Sequence, residues 1–204
     1  MTRTVHALFA AFALLLVAGL AVPTADARQA APIETRAAAL KGSSWIWEPE
    51  RSREGPVEVV IGLKRQIAFV YRGGKLIGAS SISSGARGHE SPIGRFQILE
   101  KKRHHRSNRY DDAPMPFMQR LNWYGVALHG GHVNGRPLSK GCIRLPMGFA
   151  ERLFGATAMG GFVFITEDEL PSPAAALELA RAHADAPIPA DRMPRNAAAA
   201  TAAP

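Results

Sequence analysis

Cysteine is nearly absent from this sequence: Cys142 stands alone among 204 residues. A single cysteine excludes an internal disulfide, so its thiol is buried and inert, paired with another chain, or reactive. Long apolar runs are missing too. The only extended one, Ala7 to Val22, has 16 residues, short of the roughly 20 that span a bilayer as a helix. No cysteine stands directly after it, which argues against lipid attachment there. Carboxylates are scarce, 17 against 25 Lys and Arg, giving a formal charge of +8. No internal repeat is visible.

What is present begins with an export signal. Arg3, the apolar run, the break at Pro23 and the small residues of Ala25-Asp26-Ala27 form a signal peptide over residues 1–27, with cleavage expected after Ala27. The expected location is the periplasm or cell envelope, with membrane contact only during export. Cleavage removes one Arg and one Asp, so the mature chain stays strongly basic. An exported basic protein meets wall polymers and anionic surfaces rather than nucleic acid.

Residues 28–56 are Ala-rich, charged and aperiodic apart from Trp45 and Trp47, and read as a linker with a docking segment. Val57 to Ile61, Gln66 to Tyr71 and Lys75 to Ile82 carry the β-branched and aromatic residues of strands, with Gly73-Gly74 as a hairpin turn. Phe96 to Leu99, Gly125 to Leu128 and Gly161 to Ile165 add shorter strands, and a basic, turn-rich excursion runs from Lys101 to Gln119. Pro146 in a first turn, then Phe149, Leu153 and Phe154 at helical spacing with Gly155 as the stop, predict one helix. Ala174 to Ala184 is a second, solvent-facing candidate, within residues 169–204 whose Ala and Pro content reads as a largely disordered tail. The expected fold is mostly β with one or two helices, its catalytic domain over residues 57–168.

The chemistry concentrates between Leu128 and Pro146, which holds the one Cys, two His and several Gly and Pro. A reactive thiol needs a lowered pKa, which flanking Lys140 and Arg144 and a helix starting soon afterwards would supply. Gly141 lets a substrate carbonyl approach the main chain, and the N–H groups of Gly141 and Cys142 are candidates for an oxyanion hole. His129, ending an apolar strand before a Gly-rich loop, is the expected general base; His132, three residues on, competes for that role or contacts substrate. His104, His105, Asp111 and Asp112 supply possible metal ligands, but the surrounding cations repel a divalent ion and adjacent side chains diverge. Neither metal nor cofactor is expected.

Ser139-Lys140-Gly141-Cys142-Ile143-Arg144-Leu145, preceded by His129-Gly130, resembles the signature of the L,D-transpeptidase catalytic domain, also called the YkuD domain. Ser83-Ser84-Gly85, Ser91-Pro92-Ile93-Gly94-Arg95-Phe96-Gln97-Ile98 and Met115-Pro116-Phe117 resemble further family segments in the same order. The resemblance covers roughly Val57 to Thr166. It implies a β-sandwich-like fold in which Cys142 attacks a peptidoglycan stem peptide between an L-centre and a D-residue, forms a thioester, and passes the acyl group to an amine. It also implies His129 as proton acceptor, Ser139 and Gly141 as shapers of the nucleophile loop, and Arg144 as a loop-fixing or substrate-carboxylate contact. Lys140 stands where many members carry His, so an essential imidazole there is not expected; Lys140 and His132 remain possible substrate contacts. Two other outcomes stay open. Water in place of the amine gives an L,D-carboxypeptidase or endopeptidase, and loss of catalysis gives a peptidoglycan-binding module.

Overall fold

The computed structural model describes residues 31–189 and residue 191. The predicted signal peptide, residues 1–27, and residues 192–204 of the predicted tail lie outside them. No helix among the described residues is long and apolar enough to cross a membrane.

Among the described residues two sheets, three α-helices and a 3-10 turn at Pro49–Arg51 build the domain. Strands β1 (Trp45–Trp47), β2 (Val57–Gly62), β3 (Ile67–Arg72), β4 (Lys75–Ser81), β5 (Gly94–Gln97) and β10 (Phe162–Thr166) form a six-stranded sheet in the order β1-β4-β3-β2-β10-β5. Strands β6 (Glu100–Lys102), β7 (Met118–Arg120), β8 (Ala127–Gly130) and β9 (Ile143–Leu145) form a four-stranded sheet in that order. Pairing is antiparallel except for β2 with β10 and β8 with β9. The mostly β expectation is met, with α1 (Ile33–Ala38), α2 (Met147–Ala156) and α3 (Pro173–Ala182) in place of one or two helices.

The β2-β3-β4 meander follows from local chemistry. Gly73 and Gly74 have φ of 55° and 78°, the left-handed pair that a two-residue turn with the twist of a hairpin requires. Strand alternation, shifted by the register irregularity of β4 opposite Val70 and Tyr71, then divides the side chains. Val59, Ile61, Ala68, Val70 and Ile77 face the core shared with the second sheet and α2. Val60, Ile67, Phe69, Tyr71, Leu76 and Ala79 face the other way, into a second core. These strands read as continuous apolar runs because both of their faces are covered.

That second core corrects two sequence expectations. Its outer cover comes from the segments read as linker and tail: Ile33 and Ala37 of α1, and Leu170, Ala176 and Leu177 at and within α3, are buried against the sheet. Helix α3 is therefore not a solvent-facing element of a disordered tail. Ser172 caps it through the Ala175 N–H, and the Tyr71 hydroxyl donates to the Pro173 carbonyl at 2.6 Å. Trp45 and Trp47 belong to edge strand β1, and both rings pack on Phe149 of α2, Trp47 edge-on at 5.5 Å. Alanine-rich composition hid these segments because each contributes only a few large apolar groups, spaced around short elements.

Helix α2 runs through Gly155 to Ala156, one residue past the expected stop. Its end is held from outside: the Lys101 ammonium donates to the carbonyls of Phe154 and Thr157 at 2.6 and 2.5 Å. A cation bonded to the last carbonyls offsets the negative end of the helix.

Candidate active site

The site lies on the outward face of the four-stranded sheet. On β8 and β9 the register pairs Leu128 with Ile143 and His129 with Arg144. Leu128, Ile143 and Leu145 enter the core. By alternation Ala127, His129, Cys142 and Arg144 take the opposite face, joined there by Met118 and Arg120 of β7, and all six line one cavity of about 450 Å³. Continuing the register back one pair sets Ala127 beside Cys142, with His129 two residues farther along the same face. Strand rise and spacing place the Cα atoms of His129 and Cys142 about 8 Å apart, a span an imidazole and a thiomethyl group bridge.

The nucleophile loop is fastened at both ends by the segment after β4. The amides of Leu138 and Ser139 donate to the Ser84 carbonyl, Ala86 N–H donates to the Ser139 carbonyl, and Ser83 and Arg144 exchange main-chain hydrogen bonds at 3.1 and 2.9 Å. Gln66 holds this strap in turn, accepting from the Ser84 N–H and donating to the Ser84 hydroxyl. Buried Ser139 accepts the Gly141 N–H at 3.1 Å and donates to the Cys142 carbonyl at 2.5 Å. Ser91 donates to the Gly141 carbonyl at 2.9 Å. Gly141 has φ of 110°, a conformation that favours glycine. The role foreseen for its amide changes accordingly. Ser139 already occupies that donor.

His129 is buried, and its Nδ1 lies 2.9 Å from the Gly130 carbonyl. A carbonyl only accepts, so the neutral ring carries its proton on Nδ1 and leaves Nε2 as the base lone pair. Burial lowers its pKa to about 4; the Gly130 contact opposes this, while Arg144 and His105 reinforce it. His132, exposed on the rim, lines the same cavity without such fixing.

The thiol departs from the sequence expectation. Burial pushes the Cys142 pKa up, while the Ala127 N–H and the cations Arg144 and Arg120 pull the other way. Lys140, expected to help lower it, turns to the lid: its ammonium sits 3.9 Å from the Asp111 carboxylate and 4.7 Å from the Tyr110 ring centre. Nor does α2 start at the cysteine, since β9 intervenes. The thiol lies 3.5 Å from the Gly125 carbonyl. Burial thus disfavours the charged form of both side chains, the Cys142 thiolate and the His129 imidazolium.

The basic excursion between β6 and β7 covers this cavity. His105, Arg109, Tyr110 and Asp111 line it from above, and Arg106 pairs with Asp112 at 2.6 Å within the lid. The structure brings Cys142, His129, Ser139, Arg144, His132 and Lys140 to the wall of one cavity, while Gly141 is not among its lining residues. Sequence reasoning missed Arg109, Met118 and Arg120 in the wall and Ser91 beneath it. Three-residue strand β7 is too short to show a period, and the family-like segment that begins at Ser91 does not reveal a hydroxyl partner 50 residues away. Among the described residues no three His, Cys, Asp or Glu side chains gather as metal ligands.

A family model described as the L,D-transpeptidase catalytic domain, YkuD, matches residues 56–165, more than half of the chain. The chain belongs to the L,D-transpeptidase catalytic domain family. Solved L,D-transpeptidase structures share the fold. One from Mycobacterium tuberculosis H37Rv is 20% identical with a TM-score of 0.52, covering 54% of this chain and 57% of that one. One from Stackebrandtia nassauensis is 23% identical with a TM-score of 0.52, covering 61% and 62%. Another, an L,D-transpeptidase in complex with imipenem, is 23% identical with a TM-score of 0.50, covering 54% and 58%. The match spans less than two thirds of each of these proteins. Among curated proteins no match is found.

Proposed function

We propose that this L,D-transpeptidase family member is an exported cysteine acyltransferase acting on peptidoglycan stem peptides in the cell envelope. The observation that supports the reading most is the placement of Cys142 and a tautomerically fixed His129 on one face of β8 and β9, opening into a single cavity. His129 Nε2 takes the thiol proton as Sγ attacks the carbonyl on the L-side of the scissile bond, and the Cys142 N–H meets the developing oxyanion. The C–N bond breaks, the D-residue amine leaves with the proton from His129, and a thioester remains. An acceptor amine then forms a new C–N bond, the C–S bond breaks, and the proton returns to sulfur through His129.

Mass spectrometry of residues 28–204 with a disaccharide-tetrapeptide, beside Cys142→Ala, tests this. A Cys142-dependent adduct that resolves into a cross-linked dimer with loss of the terminal D-residue is the expected result. Cleaved monomer alone makes the protein a carboxypeptidase, and a reaction that survives Cys142→Ala rejects the nucleophile. Imipenem, found in one structural relative, supplies an independent check: it should add to the wild type and not to the variant.

A further inference from the structure

A second hollow opens beside the catalytic cavity. Leu99, Glu100, Asn108, Arg120 and Trp123 line it, about 450 Å³ in volume, within the roughly 300–1,000 Å³ of ordinary ligand sites. Asn108 and Arg120 line the catalytic cavity as well, so the two hollows adjoin at these side chains. The strands set the distance between them. Glu100 of β6 pairs with Arg120 of β7, Arg120 with Ala127 of β8, and Cys142 follows beside Ala127, which makes one row across the four-stranded sheet. At about 4.8 Å per strand, Arg120 stands roughly 10 Å from the nucleophile and Glu100 roughly 14 Å.

The lining has its own chemistry. Glu100 and Arg120 pair at 2.5 Å, so the charged groups of this wall cancel and an anionic polymer finds no net attraction there. Each Glu100 oxygen takes one cation, Oε1 that of Lys102 and Oε2 that of Arg120. A carboxylate offers about four lone-pair sites, so acceptor capacity remains for hydroxyl hydrogens. Exposed Asn108 adds an amide that both donates and accepts. Half-buried Trp123 and buried Leu99 supply the apolar part. The main chain around Trp123 is fixed: its N–H donates to the Asp191 carbonyl at 3.1 Å, and the Asn122 carboxamide accepts from the Tyr124 and Val126 amides at 3.1 and 3.0 Å. An indole held beside paired donors and acceptors fits a neutral pyranose, whose C–H face is apolar and whose rim of hydroxyls needs both kinds of partner.

We propose that this hollow is a sugar subsite, and that it receives the amino sugar to which a stem peptide is attached. In a tetrapeptide stem that loses its terminal D-residue, three residues separate the scissile bond from the sugar, and three extended residues span at most roughly 10–11 Å. With Cys142 at the scissile bond, the sugar end of the stem falls between Arg120 and Glu100. The protein thus reads glycan and stem together and favours stems still attached to the glycan over free peptides. The inference rests on the stem-peptide reading above for what the sugar carries; the fit of the hollow to a pyranose does not depend on it.

Titration calorimetry of full-length Cys142→Ala with three probes tests this: a disaccharide-tetrapeptide, the same tetrapeptide without sugar, and the N-acetylated disaccharide alone. The glycopeptide should bind roughly tenfold or more tightly than the free peptide, because its two ends engage linked subsites. That gap should shrink severalfold in Trp123→Leu and, at an exposed position outside both cores, in Asn108→Ala; Trp123→Tyr, which keeps an aromatic face, should retain most of it. Equal affinity for glycopeptide and peptide, a gap that neither Trp123→Leu nor Asn108→Ala moves, or binding of neither glycopeptide nor disaccharide overturns the proposal. Disaccharide binding that Trp123→Leu abolishes, with no affinity for the free peptide and no adduct on wild-type Cys142, supports the sugar site while removing the stem-transfer reading.

Discussion

Ser91 donates its hydroxyl hydrogen to the Gly141 carbonyl, and the same oxygen accepts the Gly85 N–H, both at 2.9 Å. One hydroxyl thus fixes the peptide just before Cys142 and ties it to the strap behind the loop. Ser91→Ala leaves two buried main-chain groups without their partner, at about 1–3 kcal/mol. Its melting temperature should drop by several degrees, and kcat/KM should fall at least tenfold as the Cys142 amide loses its aim. Ser91→Thr should restore both. Wild-type melting and turnover in the alanine variant would remove Ser91 from the site's support.

Protonation of His129 should govern both rate and stability in acid. Its folded pKa of about 4 lies below the unfolded value near 6.5, so the folded state binds fewer protons between them. Stability is therefore full above about pH 6.5 and declines as pH falls toward 4, by up to about 3 kcal/mol. Urea titrations across that range should show the decline in the wild type and a flatter profile in His129→Gln. The acid limb of kcat/KM should lie near pH 4. A limb in the range of an unperturbed imidazole would mean that buried His129 is not the base.

The raised Cys142 thiol predicts slow alkylation at neutral pH. Iodoacetamide labelling should accelerate only above the free-thiol range near pH 8.5. Rapid labelling at pH 6 would show a thiolate–imidazolium pair at rest instead.

Leu170, 1% exposed, reaches over Gly62 into the outer core, and α3 follows it. Leu170→Ala should cost about 2–5 kcal/mol in urea unfolding. Truncation after Glu169 should cost more, because the outer faces of Phe69 and Tyr71 then meet water. Unchanged unfolding after truncation would mean that α3 contributes no cover.

Trp47→Ala should be a stability variant only. Its ring stands edge-on to Phe149 and against Gly78, so its loss should cost about 2–3 kcal/mol. KM should stay within twofold of the wild type at a temperature where both are folded. A large KM change with unaltered melting would make β1 part of a substrate surface.

What the sequence determined by itself is what depends on a few consecutive residues. Gly73-Gly74 dictates its hairpin, β-branched runs dictate the meander, and the apolar spacing after Pro146 dictates α2. The order Ser139-Lys140-Gly141-Cys142 with upstream His129 marks the candidate chemistry because those residue types have little other use together. Tertiary structure alone decided the rest. Burial reversed the expected direction of the Cys142 pKa and set that of His129, since desolvation depends on what the fold stacks over a group rather than on its neighbours in the chain. It paired the Gly141 amide with Ser139, supplied Ser91 as a brace, and gave the Ala-rich flanks a sheet face to cover. The last two join residues tens of positions apart, where local propensity carries no information and only the packed chain settles which group meets which partner.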